Sequence, residues 1–150
     1  MLAFAVSCGL TACSGASPAP SPSSAATATG TSTSTSTPTP VPTFDPKGTA
    51  SQNRGFFDHI NESTIAANPS PSAEQFVNAL AAAGFDKSAM QMTADTTTVN
   101  LKPGSVQFSV LINGGCLIGQ FGQDIGGYHS MVASVLSTGK CLIGDTVPIK

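Results

Sequence analysis

The first 43 residues contain no Asp, Glu, Lys, Arg or His, and all fourteen Asp, Glu, Lys and Arg residues lie from Asp45 onward. This division constrains the chain more than any motif does, because it joins two polymers of different physical character near Phe44. It also explains why charged residues make up only 9 % of the whole, against roughly 25 % in ordinary globular proteins. The part from residue 44 onward is long enough for one domain with a real core, burying roughly two-thirds of its unfolded surface. The net charge is −2 and there is no basic run, so the electrostatic footprint of a nucleic-acid binder is missing and no nucleic-acid partner is expected.

The charge-free part is itself divided. Residues 1–12 are mostly apolar, from Met1-Leu-Ala-Phe-Ala-Val-Ser-Cys-Gly-Leu10 onward. That run is far too short to cross a bilayer, which takes about 20 residues, but it has the length and texture of the apolar region of a signal peptide. The basic residues that normally precede such a region are lacking, which leads us to expect a translation start further upstream. Leu10-Thr11-Ala12-Cys13 resembles the bacterial lipobox. The resemblance implies a diacylglyceryl thioether on Cys13, cleavage just before it, and membrane attachment on the extracytoplasmic face. Two or more acyl chains, at about 0.8 kcal/mol per buried CH₂, anchor stably where one does not. Cys8 is a weaker candidate, since only Ala5 stands at its aliphatic position.

From residue 14 to 43 the chain is Ser, Thr, Ala, Pro and Gly, with Val41 the one exception. Such a composition has nothing large to bury and cannot offset the entropy of ordering itself, so residues 13–43 read as a lipidated cysteine and a disordered spacer. The same composition is shared by O-glycosylated stalks and by bare linkers, and the sequence leaves both open.

Beyond the spacer, residues 44–150 read as an α+β domain: two N-terminal helices packed on a small, mainly antiparallel sheet, with one disulfide. A helix is expected over Thr49–Asn68, with Phe56, Phe57, Ile60 and Ile65 approximating one face and Pro69 enforcing its end. Ser72-Ala-Glu-Gln75 has the form of a capping box and starts a second helix through Phe76, Val77, Leu80 and Ala81, stopped at Gly84. The period then changes. Met90 and Met92 alternate with polar neighbours, as do Val99 and Leu101, and Val106 to Ile112 alternates strictly. Asn113-Gly114 is a strong hairpin signal, with Cys116–Phe121 as the return strand. Tyr128, Met131, Val132, Val135 and Leu136 are spaced as on a short helix, although their β-branched members also suit a strand. Cys141–Gly144 is expected as a final short strand.

Cys116 and Cys141 share the context Cys-Leu-Ile-Gly. Outside the cytoplasm a disulfide is favoured over two buried thiols, and neither cysteine has the CxxC spacing of a zinc site. The stretch from about Phe85 to Ile143 also resembles an uncharacterised family of small actinobacterial lipoproteins. The resemblance is carried by Ala82-Ala-Gly-Phe-Asp86, Val106-Gln-Phe-Ser109, Cys116-Leu-Ile-Gly-Gln120, Gly126-Gly-Tyr-His-Ser130 and Gly139-Lys-Cys-Leu-Ile143. It implies the extracytoplasmic compartment and supports the disulfide, and it carries no chemistry.

Signals for catalysis are sparse. His59 and Glu62 have a helical i, i+3 spacing but no further ligand, so a solvated face is expected rather than a metal site. His129-Ser130 follows Gly126-Gly127, yet no G-x-S-x-G surrounds Ser130. No P-loop or dinucleotide fingerprint occurs, and no cofactor is expected. The favoured reading is a non-catalytic binding module at the cell envelope, presenting Tyr128, His129 and Ser130 to an envelope protein or glycan. The alternatives are a small hydrolase using His129 or Ser130, and a purely structural envelope component.

Overall fold

The computed structural model describes residues 40–150. The apolar leader, Cys8, Cys13 and the spacer up to residue 39 lie outside the described residues. Helix α1 spans Ala50–Ala67. Its N-cap Thr49 accepts the Gln52 N–H at 3.3 Å while the Gln52 side chain accepts the Thr49 N–H at 2.7 Å. This reciprocal box satisfies two of the donors that a helix start leaves orphaned. Asn68 caps the other end, where Pro69 forbids continuation. Helix α2, Ala73–Ala82, starts with the expected Ser72–Gln75 box. It closes with the Phe85 N–H on the Leu80 carbonyl at 3.1 Å, across Gly84.

Four strands follow: β1 (Met90–Met92), β2 (Val106–Ile112), β3 (Gly115–Gly122) and β4 (Gly127–Ser134). They form an antiparallel sheet in the order β1-β2-β3-β4. Asn113 and Gly114 both take positive φ (46° and 79°), as the two-residue type I′ turn between β2 and β3 requires. The Asn113 side chain also donates to the carbonyls of Pro46 (3.1 Å) and Gly48 (2.7 Å), tying this hairpin to the turn that precedes α1.

One face of the sheet carries Val106, Phe108, Val110, Leu117 and Phe121 and packs under the helices. Every phenylalanine from Phe44 onward joins one aromatic chain with neighbouring centroids 4.4–6.2 Å apart. Phe108 lies at its centre, stacked on Phe76 at 4.4 Å. Opposite it on β3 is Gly119, where a Cβ would fall 2.4 Å from the Phe108 ring. The phenyl ring occupies the space a side chain there would need.

Three expectations are corrected. Residues Tyr128 to Ser134 form a strand, not a helix, because the free side of β3 offers them a ladder that runs the length of β4. Cys141–Gly144 is not a strand but part of a strap crossing the second face of the sheet. There the disulfide joins Cys141 to Cys116 of β3. The Gln91 side-chain oxygen of β1 accepts the N–H groups of Cys141 (2.7 Å) and Leu142 (3.2 Å), replacing a strand partner. The strap then pairs at Val147, whose N–H reaches the Met92 carbonyl at 3.0 Å. Finally, Val99 and Leu101 stand exposed in a loop closed by the Thr97 N–H bond to the Leu101 carbonyl, and are not strand residues.

Candidate functional site

The buried stripe of α1 is Ala50, Asn53, Phe57 and Asn61, so two amides share the core-facing positions. Asn53 is fully used by the fold. Its Nδ2 donates to the carbonyls of Asp45 (2.8 Å), Gly48 (3.2 Å) and Thr49 (3.1 Å), and its Oδ1 accepts the Asp45 N–H at 2.9 Å. Asn61 behaves differently. Its Nδ2 donates to the Tyr128 hydroxyl at 2.9 Å, while its Oδ1 is buried without a hydrogen-bond partner.

Tyr128 in turn donates to Asp58 Oδ1 at 2.8 Å. Asp58 pairs with Arg54 at 3.5 Å, and Arg54 reaches across to β4, where Nε donates to Ser130 Oγ (3.2 Å) and Nη2 to the Ser130 carbonyl (3.1 Å). Arg54, Asp58 and Asn61 on α1 thus grip Tyr128 and Ser130 on β4 across about 70 residues of sequence. Burial is the main reason the Tyr128 phenol is held far above its ordinary titration range. Asn61 donates to the oxygen and partly offsets that effect, and the Asp58 carboxylate adds to it. Tyr128 is therefore a fixed neutral hydroxyl.

The ring of Tyr128 also walls an open groove of about 520 Å³, together with Ile65, Ala66, Pro69 and Phe121, with Glu62 at its border. This volume lies in the range of small-ligand sites. A smaller cleft of about 220 Å³, bordered by Lys102 and Asp124, adjoins it through Phe121 and Gln123.

The strand places the sequence candidates unequally. Tyr128 and Ser130 project to the helix side of the sheet, whereas His129 between them projects to the other side. There its Nε2 lies 2.8 Å from the Ile125 carbonyl. Imidazole and hydroxyl therefore do not meet as a base and a nucleophile. His59 and Glu62 lie on α1, and among the described residues no group of three or more metal-ligating side chains forms. Sequence reasoning missed Arg54, Asp58 and Asn61. An Asn placed every eighth residue on the core stripe, as at Asn53 and Asn61, was the signal available.

No curated protein and no solved structure matches the chain. A family model described as a domain of unknown function, DUF6993, matches residues 61–145, which takes in Asn61, the whole sheet and both disulfide cysteines. That match covers more than half of the sequence, and the chain belongs to this DUF6993 family.

Proposed function

We propose that the chain is an actinobacterial lipoprotein, anchored through Cys13 on the extracytoplasmic face of the membrane, whose domain is a non-catalytic binding module of the cell envelope. The groove beside Tyr128 carries this reading: an apolar-walled concavity of about 520 Å³ at the helix–sheet junction, with its one tyrosine kept neutral chiefly by burial and held in place by Asn61 and Asp58. The divergence of His129 and Ser130 supports binding over hydrolysis. Leu10-Thr11-Ala12-Cys13 and the uncharged spacer support the anchor, and the Cys116–Cys141 disulfide fits an oxidising compartment.

The test is made in cells. A photo-crosslinking residue at Ala66, within the groove, is expected to give discrete adducts that the same residue at Lys140 does not. Cys13→Ala is expected to release the protein from the membrane fraction. Equal adducts from both positions would overturn the binding site, and membrane retention of Cys13→Ala would overturn the anchor.

A further inference from the structure

Among the described residues no strand pairs with the outer edge of β4. The two-residue turn makes Ile112 and Gly115 a hydrogen-bonded pair, and strict alternation then fixes which way each main-chain group points. Cys116, Ile118, Gln120 and Gly122 face β4, where Ala133, Met131, His129 and Gly127 meet them. Tyr128, Ser130, Val132 and Ser134 are left directing their N–H and C=O groups outward. The far side of the sheet obeys the same alternation: the Gln107 carbonyl receives the Thr93 N–H at 2.9 Å, and the Met92 carbonyl receives the Val147 N–H at 3.0 Å. Among the described residues only Arg54 occupies the β4 edge, through its bond to the Ser130 carbonyl. The strand is eight residues long and carries no Pro, Lys or Arg, unlike the protected edges usual in soluble proteins.

Helix α1 runs beside this edge and presents Arg54, Asp58 and Glu62 at every fourth position. Arg54 neutralises Asp58, so Glu62, which borders the groove, is the unpaired charge along the row. We propose that β4 is extended by an extended polypeptide of a partner, lying along the outer edge of β4 beside α1, with an apolar side chain in the groove and a basic side chain facing Glu62. This rests on reading the domain as a binding module and specifies the ligand. Main-chain bonds to Tyr128, Val132 and Ser134 would supply affinity, and the groove and Glu62 the selectivity. A second copy of β4 fits less well, since it has no Lys or Arg to bring to Glu62.

The probe is the peptide Lys-Val-Lys-Val-Lys-Val, titrated into the full chain with amide exchange followed by NMR. Binding is expected to slow exchange at Tyr128, Ser130, Val132 and Ser134. Glu-Val-Glu-Val-Glu-Val and a backbone N-methylated form of the basic peptide should bind much more weakly. Val132→Pro removes an outward N–H without touching the β3 ladder, and should weaken binding roughly five- to tenfold. Three results would each overturn the proposal: no peptide binding, binding that leaves these four amides unprotected, or protection that grows with protein concentration alone and marks self-association. The N-methylated peptide keeps the test decisive even if Val132→Pro is unstable. Crosslinking from Ala66 together with an unprotected edge would sink the added strand and leave the binding module standing.

Discussion

Replacing Gly119 by Ala puts the packing of the sheet against the helices to a direct test. Gly119 sits in β3 with an extended backbone, so the substitution meets no conformational strain. A more restricted unfolded chain would by itself favour the variant by about 0.4–1 kcal/mol. Against this, the new Cβ would lie 2.4 Å and 2.5 Å from two Phe108 ring atoms, where ordinary contact begins at 3.4 Å. The ring must retreat by about 1 Å. It has nowhere to go, being fully buried, stacked on Phe76 at 4.4 Å and flanked by Phe57 at 5.9 Å. Overpacking of this kind costs about 1–3 kcal/mol and occasionally more. The expected net loss is about 1–2 kcal/mol, a fall in Tm of roughly 5–15 °C for a domain of this size. Thermal and urea unfolding, followed by circular dichroism, measure it. In a Phe108→Leu background the offending ring atoms are gone, and the same change should cost about 1 kcal/mol less. A Gly119→Ala protein as stable as the parent, or an equal cost in both backgrounds, would refute the packing described for Phe108.

Two further outcomes follow from the same geometry. Tyr128 is the chain's one tyrosine and there is no tryptophan, so phenolate absorbance reports it alone. Its titration in the folded protein is expected to be displaced well above the ordinary value of about 10. Because the folded pKa is raised, this contribution to stability is fully present below the unfolded pKa and declines as pH rises beyond about 10. A phenolate midpoint near 10 in a protein with intact circular dichroism would contradict the burial of Tyr128 against α1. Removing the disulfide by the double change Cys116→Ser and Cys141→Ser opens a loop of sequence separation 25 and should cost about 3 kcal/mol in the chain-entropy model. Denaturant midpoints check this, and an unchanged midpoint would mean that the disulfide contributes nothing to holding the strap on the sheet.

Elements specified by neighbouring residues were legible in the sequence. Ser72 and Gln75 cap α2 through contacts three residues apart, and Asn113-Gly114 turns the β2–β3 hairpin by itself. The Cys116–Cys141 pairing was expected from the oxidising compartment that the lipobox resemblance implies, and the structure contains that disulfide. What could not be read depends on distant partners. Tyr128, Met131, Val132 and Leu136 mimic a helical stripe, and only the ladder offered by β3 decides for a strand that leaves Met131 exposed. The same decision separates His129 from Tyr128 and Ser130, which adjacency in sequence had grouped. The position of Asn61 on the core stripe was legible, but its partner was not, because Tyr128 arrives from 67 positions away to receive its N–H. Cys141–Gly144 looked like a strand because apolar content signals burial, and the side chain of Gln91 met its backbone needs instead.

The Val147 bond to Met92 has a consequence for assembly. Propagation of a β-structure from molecule to molecule requires each unit to carry two vacant sides, one to receive and one to template. Here, among the described residues, the strap bridges β1 at Val147, whereas no strand pairs with the outer side of β4. A strand added to β4 would therefore meet a bridged side at β1 of the next molecule, and pairing would be expected to stop at a one-to-one complex or a closed pair instead of a growing fibre.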